Sequence, residues 1–494
     1  MQAAQGIRGF SARLRRTSNR RGWLLFVMAV ALAWWAGSAV ARGGTPGFLA
    51  IGLGGALFVG TIASAIARGR LKRDFVAVEL PALLIMMGEL VLRQRDADAL
   101  ASNPLDPAGM YRVLCIGSAL LLGGLALTSR VDRVDERITS RPFRLYCLYV
   151  LVVFIAVPLS IKPLFTAYRA VELAAGVVAV AGACRRVGRE GAERILSLIF
   201  WFTVASAIPI WIGAMIMPGS AFSHVNSPFP IQLSGVWPPV SANGTGLIGS
   251  VISLWSLAKL LSPQDRGDIG SRTLRILAVL GFVTLLLAQY RTGYIAYTVG
   301  LLVLLGVRAR TTALWVIIGA ILIAFGWGGQ ILQEATPILQ RGATVETVEG
   351  LSGRLNYWSA ALPVWRESPL FGRGLLTASR FEVLAKLGVT STSTIHSTWV
   401  EALVGTGLVG VALLASSFLI TLARAFKDAL RPAGRIVPLL LMTIFVVRSI
   451  TGTTFEVAGS SSLLLLSIAL LMRDPARARS PEQAHDLIPR DVGS

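Results

Sequence analysis

Apolar residues run along this chain in blocks of roughly 16 to 25 positions, the length that carries a helix across a bilayer. Short polar segments separate them. The pattern predicts fourteen crossings, at 23–41, 47–67, 76–92, 113–128, 145–160, 165–184, 195–217, 242–262, 276–290, 292–307, 312–331, 397–423, 436–453 and 457–472. The expected fold is an all-α polytopic membrane protein with no fixed-period repeat and one large extracytoplasmic loop that itself contains helical structure.

Composition agrees with the pattern. The 494 residues are 54% hydrophobic and only 15% charged, with a mean hydropathy of +0.66. A soluble chain of this length would carry far more surface charge. Lys and Arg are retained on the cytoplasmic side of a membrane, so the charges test the count. Arg8, Arg13, Arg15, Arg16, Arg20 and Arg21 place the N-terminal tail inside. Fourteen crossings then put most of the 47 basic residues on the cytoplasmic face, with both termini there. The net charge of +21 is therefore a topology signal and an attraction to anionic membrane lipids. Basic residues scattered over many short segments exclude a nucleic-acid surface. The first apolar run is too long for a cleaved leader and reads as a signal anchor in the cytoplasmic (inner) membrane. Cys115, Cys147 and Cys184 fall in predicted helices without CxxC spacing and read as packing residues.

The resulting organisation is a basic tail (1–22), a first bundle of eleven crossings (23–331), a large extracytoplasmic loop (332–396), three final crossings (397–472) and a cytoplasmic tail (473–494). A loop that long is usually functional. Within it Leu355, Trp358, Leu362 and Trp365 recur at helical spacing, predicting a helix on the membrane surface with its indoles on one face. A shorter outer segment, 218–241, lacks charge and is rich in Pro, Ser and aromatics.

Charges that break the sidedness rule carry the chemistry. Arg42, Arg93, Arg95, Arg112 and Lys162 lie at helix ends, where they can snorkel. Arg169 and Arg448 fall inside predicted helices and Arg291 where two helices meet, positions where an ionised group is costly unless paired or functional. Arg169 has Glu172 three residues away as a neutralising partner. Arg291 and Arg354 have no acid within four residues, and Arg448 none nearer than Glu456. Guanidinium groups in an outer cavity suit a phosphate or diphosphate, which they bind bidentately without losing charge. His396 stands where the polar loop turns into an apolar helix, and a neutral imidazole there is a suitable base for a hydroxyl. Glu401, five residues on, lies well around the helix from His396 and is expected to pair with a basic residue elsewhere. GTGLVG at 405–410 spells a dinucleotide fingerprint, but no strand precedes it and it lies inside a predicted crossing. Its glycines read as a packing surface for neighbouring helices. HExxH, Cys/His clusters, GxSxG and the P-loop pattern are missing, so neither metal nor other cofactor is expected.

SGRLNYWSAALPVWRESPLFGRG (352–374) followed by IHSTWVEALVGTGLVG (395–410) resembles the O-antigen ligase and Wzy-type O-antigen polymerase superfamily. In that family an SGR arginine opens a loop helix, a P-x-x-G-x-G turn follows, and an H-N or H-S pair begins a helix ending in G-x-x-G. SPLFGRG supplies the turn and Arg373; YRTG (290–293) resembles the S-R-G helix start, and VWPPVSANGTG (236–246) the P-N-x-x-G segment with Asn243. Tyr290 stands where serine is usual and Ser397 where asparagine is commoner. Fourteen crossings exceed the twelve usual in the ligases.

The resemblance implies a GT-C-like glycosyltransferase that takes glycan from a polyprenyl-diphosphate-linked saccharide donor to a glycan or lipid-linked acceptor on the extracytoplasmic face of the cytoplasmic membrane, without metal and with inversion. Arg291 and Arg354 would hold the diphosphate and His396 would be the base. Arg169, Arg373, Arg448, Asn243 and Trp358 are further candidates for substrate binding. A lipid-linked oligosaccharide flippase or other transporter is the alternative, since these too combine many helices with interior arginines.

Overall fold

A computed structural model of the protein describes residues 73–90, 107–128, 140–224, 230–236, 239–312, 318, 354–389 and 394–472. The expected crossings at 23–41 and 47–67, and almost all of 312–331, lie outside them, as does the loop before Arg354.

The described chain is helical apart from one small hairpin. The helices are α1 (Arg73–Glu89), α2 (Pro107–Thr128), α3 (Arg141–Ile155), α4 (Pro163–Val187), α5 (Arg189–Ile216), α6 (Ala242–Leu261), α7 (Ser271–Ala288), α8 (Arg291–Arg308), α9 (Arg354–Arg366), α10 (Thr398–Ala429), α11 (Val437–Thr451) and α12 (Ser460–Leu471), with shorter turns between. Apart from α9, they fall on the expected crossings from 76–92 through 292–307 and from 397–423 through 457–472. Among the described residues, six are long and apolar enough to cross a membrane: α2, α4, α5, α6, α7 and α10. α11 and α12 are shorter apolar helices. One core runs through the bundle, with α12, α1 and α11 almost wholly inside it. Large apolar side chains also point outward in mid-helix, among them Leu121, Leu125, Ile276, Val279 and Leu419. A water-facing surface would not tolerate such a belt; lipid would.

The charges sort to the two ends of the bundle. One end holds the short connections around Gly188, Ser262–Gly270 and Arg431–Ile436, cross-linked by Arg194–Glu79, Arg186–Asp74 and Arg435–Glu193 ion pairs. There Asp265 Oδ2 accepts from Ile436 N at 2.8 Å and Val437 N at 3.4 Å, capping α11. The opposite end gathers the C-termini of α1, α3, α5, α7 and α11 and the N-termini of α2, α4, α6, α8, α10 and α12. Glu89 reaches across it to Ser460 N at 2.7 Å.

The uncharged 218–241 segment folds into an antiparallel hairpin, β1 (Phe222–His224) with β2 (Ile231–Leu233), pairing Phe222 with Leu233. Gln232 Nε2 donates to Ala288 O at 3.1 Å and Gln289 Nε2 to Ile231 O at 2.7 Å. The hairpin thus sits on the α7–α8 corner, immediately before Arg291. Short strands without alternation gave no signal of it in the sequence.

Candidate active site

Three helix starts and one helix end meet at the end of the bundle away from most of the basic connections. Tyr290 precedes α8, and its ring needs the space left by two glycines. A Cβ at Gly246 would lie 2.4 Å from Tyr290 Cβ, and one at Gly293 2.3 Å from its Cδ1. So placed, Tyr290 Oη accepts from Arg448 Nη1 at 3.2 Å, while Thr451 Oγ1 donates to Thr292 Oγ1 at 3.3 Å. These contacts fasten the start of α8 to the end of α11. α10 is fastened to the same place: Thr398 N and Oγ1 both donate to Gly452 O at 3.0 Å, and Thr398 Oγ1 meets Thr454 Oγ1 at 2.7 Å.

His396 stands just before α10 with φ 55°, in the left-handed region. A non-glycine residue held there costs roughly 1–2 kcal/mol and persists only where its surroundings fix it. Its Nδ1 lies 3.4 Å from Thr394 Oγ1. Ser397 caps α10, accepting from Val400 N at 3.5 Å. Serine and asparagine are both good N-caps, so the departure from the commoner asparagine preserves this helix start. Burial, then the Arg354 and Arg448 charges, lowers the His396 pKa from its usual 6.5 to about 4. Arg354 opens α9 and is itself lowered, chiefly by burial, with Arg448 adding repulsion. Arg354, Arg448, Tyr290 and His396 therefore share one electrostatic neighbourhood. Among the described residues Arg354 has no ion-pair partner, and Arg448 Nε is buried without a hydrogen bond. Beneath them Glu456 is 1% exposed. One of its oxygens accepts from Thr454 N at 3.0 Å, and the other has no hydrogen-bond partner among the described residues. Burial raises its pKa to about 7.

The GTGLVG run is a break in α10, not a surface for a neighbouring helix. Gly407 has φ 66° and ψ −169°, and the freed groups pair with the SPLFGRG turn. Arg373 N donates to Val404 O at 2.9 Å, Gly374 N to Gly405 O at 3.0 Å, Leu408 N to Pro369 O at 2.9 Å and Val409 N to Leu370 O at 3.2 Å. A Cβ on Gly407 would lie 2.3 Å from the Leu370 carbonyl, and one on Gly372 2.4 Å from that of Gly405. The two glycine motifs are two halves of one backbone junction. It holds the loop against the bundle and satisfies a helix interruption that a membrane would otherwise penalise.

Arg291 begins α8 beside Tyr290, and Asn243 is exposed in the first turn of α6, one turn before the Gly246 that seats Tyr290. Arg169 Nη1 binds Glu172 at 2.7 Å. Arg112, expected to snorkel, instead binds the other oxygen of Glu172 at 2.5 Å; a carboxylate 1% exposed is an ion-pair partner worth turning inward for. Arg373 is held between Glu367 at 2.7 Å and Glu382 at 3.0 Å. Trp358 Nε1 donates to Ile395 O at 3.0 Å. The buried face of α9 is Ala361 and Val364, packed with Tyr357 and Trp365 on Ala378, Val383, Leu384, Ile395 and Val404. Leu355 and Leu362 of the expected stripe are exposed, because the inward face is offset from it by one position. Among the described residues Glu401 has no basic partner within hydrogen-bond reach. It accepts from the Ser379 hydroxyl and from Ile395 N at 3.4 Å. Tyr290, Glu401, Ser379 and Glu456 were not legible as site residues; only an acid inside an apolar helix marked Glu401 out.

The fold and site define a multi-pass helical membrane protein with a basic, histidine-containing site at one end. Residues 276–415 match the family model described as O-Antigen ligase, a segment that contains Arg291, Arg354, Trp358, Arg373 and His396. That match supports the O-antigen ligase/polymerase superfamily to which the motifs pointed and, more coarsely, a membrane glycan ligase or polymerase. A search of curated proteins gave no match.

Proposed function

We propose that the protein is a glycosyltransferase that takes an oligosaccharide from a polyprenyl-diphosphate-linked donor and joins it to a glycan or lipid-linked acceptor at the extracytoplasmic face of the cytoplasmic membrane. The observation that carries this reading is the meeting of Arg354, Arg448 and His396 where α8, α9 and α10 begin. Helix N-termini and guanidinium groups both favour an anion, and an imidazole beside them is the group that an attacking hydroxyl requires. In this reading the chain forms a GT-C-like bundle of fourteen crossings with both termini cytoplasmic. The outward position of the site is supported by its lying opposite the end where Arg185, Arg186, Arg189, Arg272, Arg275, Arg308 and Arg310 gather, following the retention of positive charge inside.

The reaction follows from those parts. The acceptor oxygen forms a bond to the anomeric carbon and gives its proton to His396, whose lowered pKa keeps it neutral at pH 7. The bond from that carbon to the diphosphate oxygen breaks, and its electron pair leaves on the diphosphate. Arg354 and Arg448, with Arg291 beside them, stabilise that charge as it develops. Attack opposite the leaving group inverts the anomeric centre. Arginines then take the charge-neutralising part that a divalent ion has in other phosphate chemistry.

His396→Ala and Arg354→Ala are expected to abolish glycan transfer with expression and membrane insertion unchanged. Normal product from both variants refutes the assignment. Net movement of donor across liposomes lacking any acceptor, without covalent transfer, would identify a transporter instead.

A further inference from the structure

Ile395, the residue before His396, is held through both of its backbone groups. Its carbonyl, Ile395 O, accepts from Trp358 Nε1 at 3.0 Å. On the other side of Ile395, the N–H donates to Glu401 Oε2 at 3.4 Å. Glu401 is fully buried and is itself fixed by the Ser379 hydroxyl. The Ile395 side chain is also fully buried, packed with Ala361 and Val364 of α9 and Val404 of α10. Trp358 belongs to the loop helix α9, Glu401 to α10, and Ser379 to the turn that follows the SPLFGRG junction. Three separately placed elements thus converge on one residue, and the next residue is the histidine, held at φ 55°. Rotation about the His396 N–Cα bond is measured from the peptide plane that Trp358 holds, so these contacts set the direction in which the imidazole leaves the chain.

We propose that Trp358 and Glu401 are positioning residues that aim His396, and that the Trp358 indole N–H acts on the protein's own backbone, not on the sugar. This rests on the reading of His396 as the base. It gives the buried carboxylate and the conspicuous loop tryptophan a common purpose.

The test uses the full-length protein with Trp358→Phe, which keeps an aromatic ring and removes the donor, and with Glu401→Gln and Glu401→Ala. Ser379→Ala, which removes only the hydroxyl holding Glu401, is a second route should the glutamate variants fail to fold. Two quantities are read: steady-state transfer, and the rate at which diethylpyrocarbonate modifies His396, quantified by mass spectrometry with the exposed His224 as internal control. Trp358→Phe is expected to lower kcat by about ten- to a hundredfold, the scale of a misplaced reacting group. The donor KM should change less than about twofold on the same reasoning. The His396 modification rate should change while that of His224 does not. Glu401→Gln is expected to retain more activity than Glu401→Ala, and Ser379→Ala to change His396 reactivity in the same direction as the glutamate variants. A Trp358→Phe protein whose loss lies in KM alone, or whose His396 reactivity is that of the parent, overturns the proposal. Active His396→Ala protein would defeat the base assignment separately, since the reactivity of His396 in the Trp358 and Ser379 variants is read without any transfer.

Discussion

The lowered pKa of His396 makes a prediction about donor binding. In the free protein the imidazole titrates at about 4, held down first by burial and then by the charges of Arg354 and Arg448. Only the neutral ring accepts a proton, so activity is lost as pH falls through the pKa and not as it rises. The acid limb of kcat/KM, which reports the free protein, should therefore have its midpoint at about 4 rather than at the 6.5 of an ordinary histidine. A bound diphosphate places negative charge against the same two arginines and cancels their effect on the imidazole, while burial remains. A neighbouring charge of this kind is worth about one pKa unit. The acid limb of kcat, which reports the donor complex, should accordingly lie about one pH unit or more above that of kcat/KM. Arg354→Met should raise the titration of His396 in the free protein toward 5, read as the pH dependence of its diethylpyrocarbonate modification, where loss of donor affinity has no influence. The assay is transfer by purified protein in nanodiscs across pH 3 to 8 with saturating and limiting donor. A kcat limb at or below that of kcat/KM refutes the reasoning, as does a His396 titration that Arg354→Met leaves in place.

Other expectations follow from individual contacts. Tyr290→Phe removes the acceptor that holds Arg448 Nη1; a hydrogen bond to a charged group contributes about 1.5–3 kcal/mol, so the donor KM should rise at least tenfold with little change in expression. Gly407→Ala places a Cβ 2.3 Å from the Leu370 carbonyl at φ 66° and should lower the melting temperature in detergent. Gly306→Ala, in the last turn of α8 with nothing within 4 Å, should leave that temperature unchanged or raise it slightly. Glu172→Gln leaves Arg112 and Arg169 without their shared carboxylate and should destabilise by about 3–5 kcal/mol, the cost of orphaning a buried ion-pair partner. The same unfolding measurement on Glu172→Gln checks it.

The helices and the basic bias of their connections could be read directly, because a bilayer imposes long apolar runs and retains positive charge on one side. His396, Arg354 and Arg448 were visible as charged or titratable groups against that background. What stood hidden was of two kinds. Backbone pairing leaves little mark on side-chain pattern, so the docking of SPLFGRG into the GTGLVG break read as helix packing, and the 222–233 hairpin did not register at all. Partners distant in the chain were hidden too: Arg448 finds Tyr290 across 158 positions, and Arg112 finds Glu172 across 60. Glu401 was misread for a related reason, since an acid in an apolar helix suggests a basic partner when backbone N–H and a serine hydroxyl can serve instead. The face of α9 was misjudged because its small residues, Ala361 and Val364, are the fully buried ones while Leu355 and Leu362 remain outside.

The most direct measurement is transfer by the purified protein reconstituted with one defined polyprenyl-diphosphate glycan and an acceptor, with His396→Ala alongside and each reaction repeated in the presence of a chelator. Covalent product of inverted configuration is expected from the parent protein, undiminished by chelation, and none from His396→Ala. Product from the histidine variant at the parent rate, or activity that disappears with the chelator and returns with a divalent ion, would contradict that expectation.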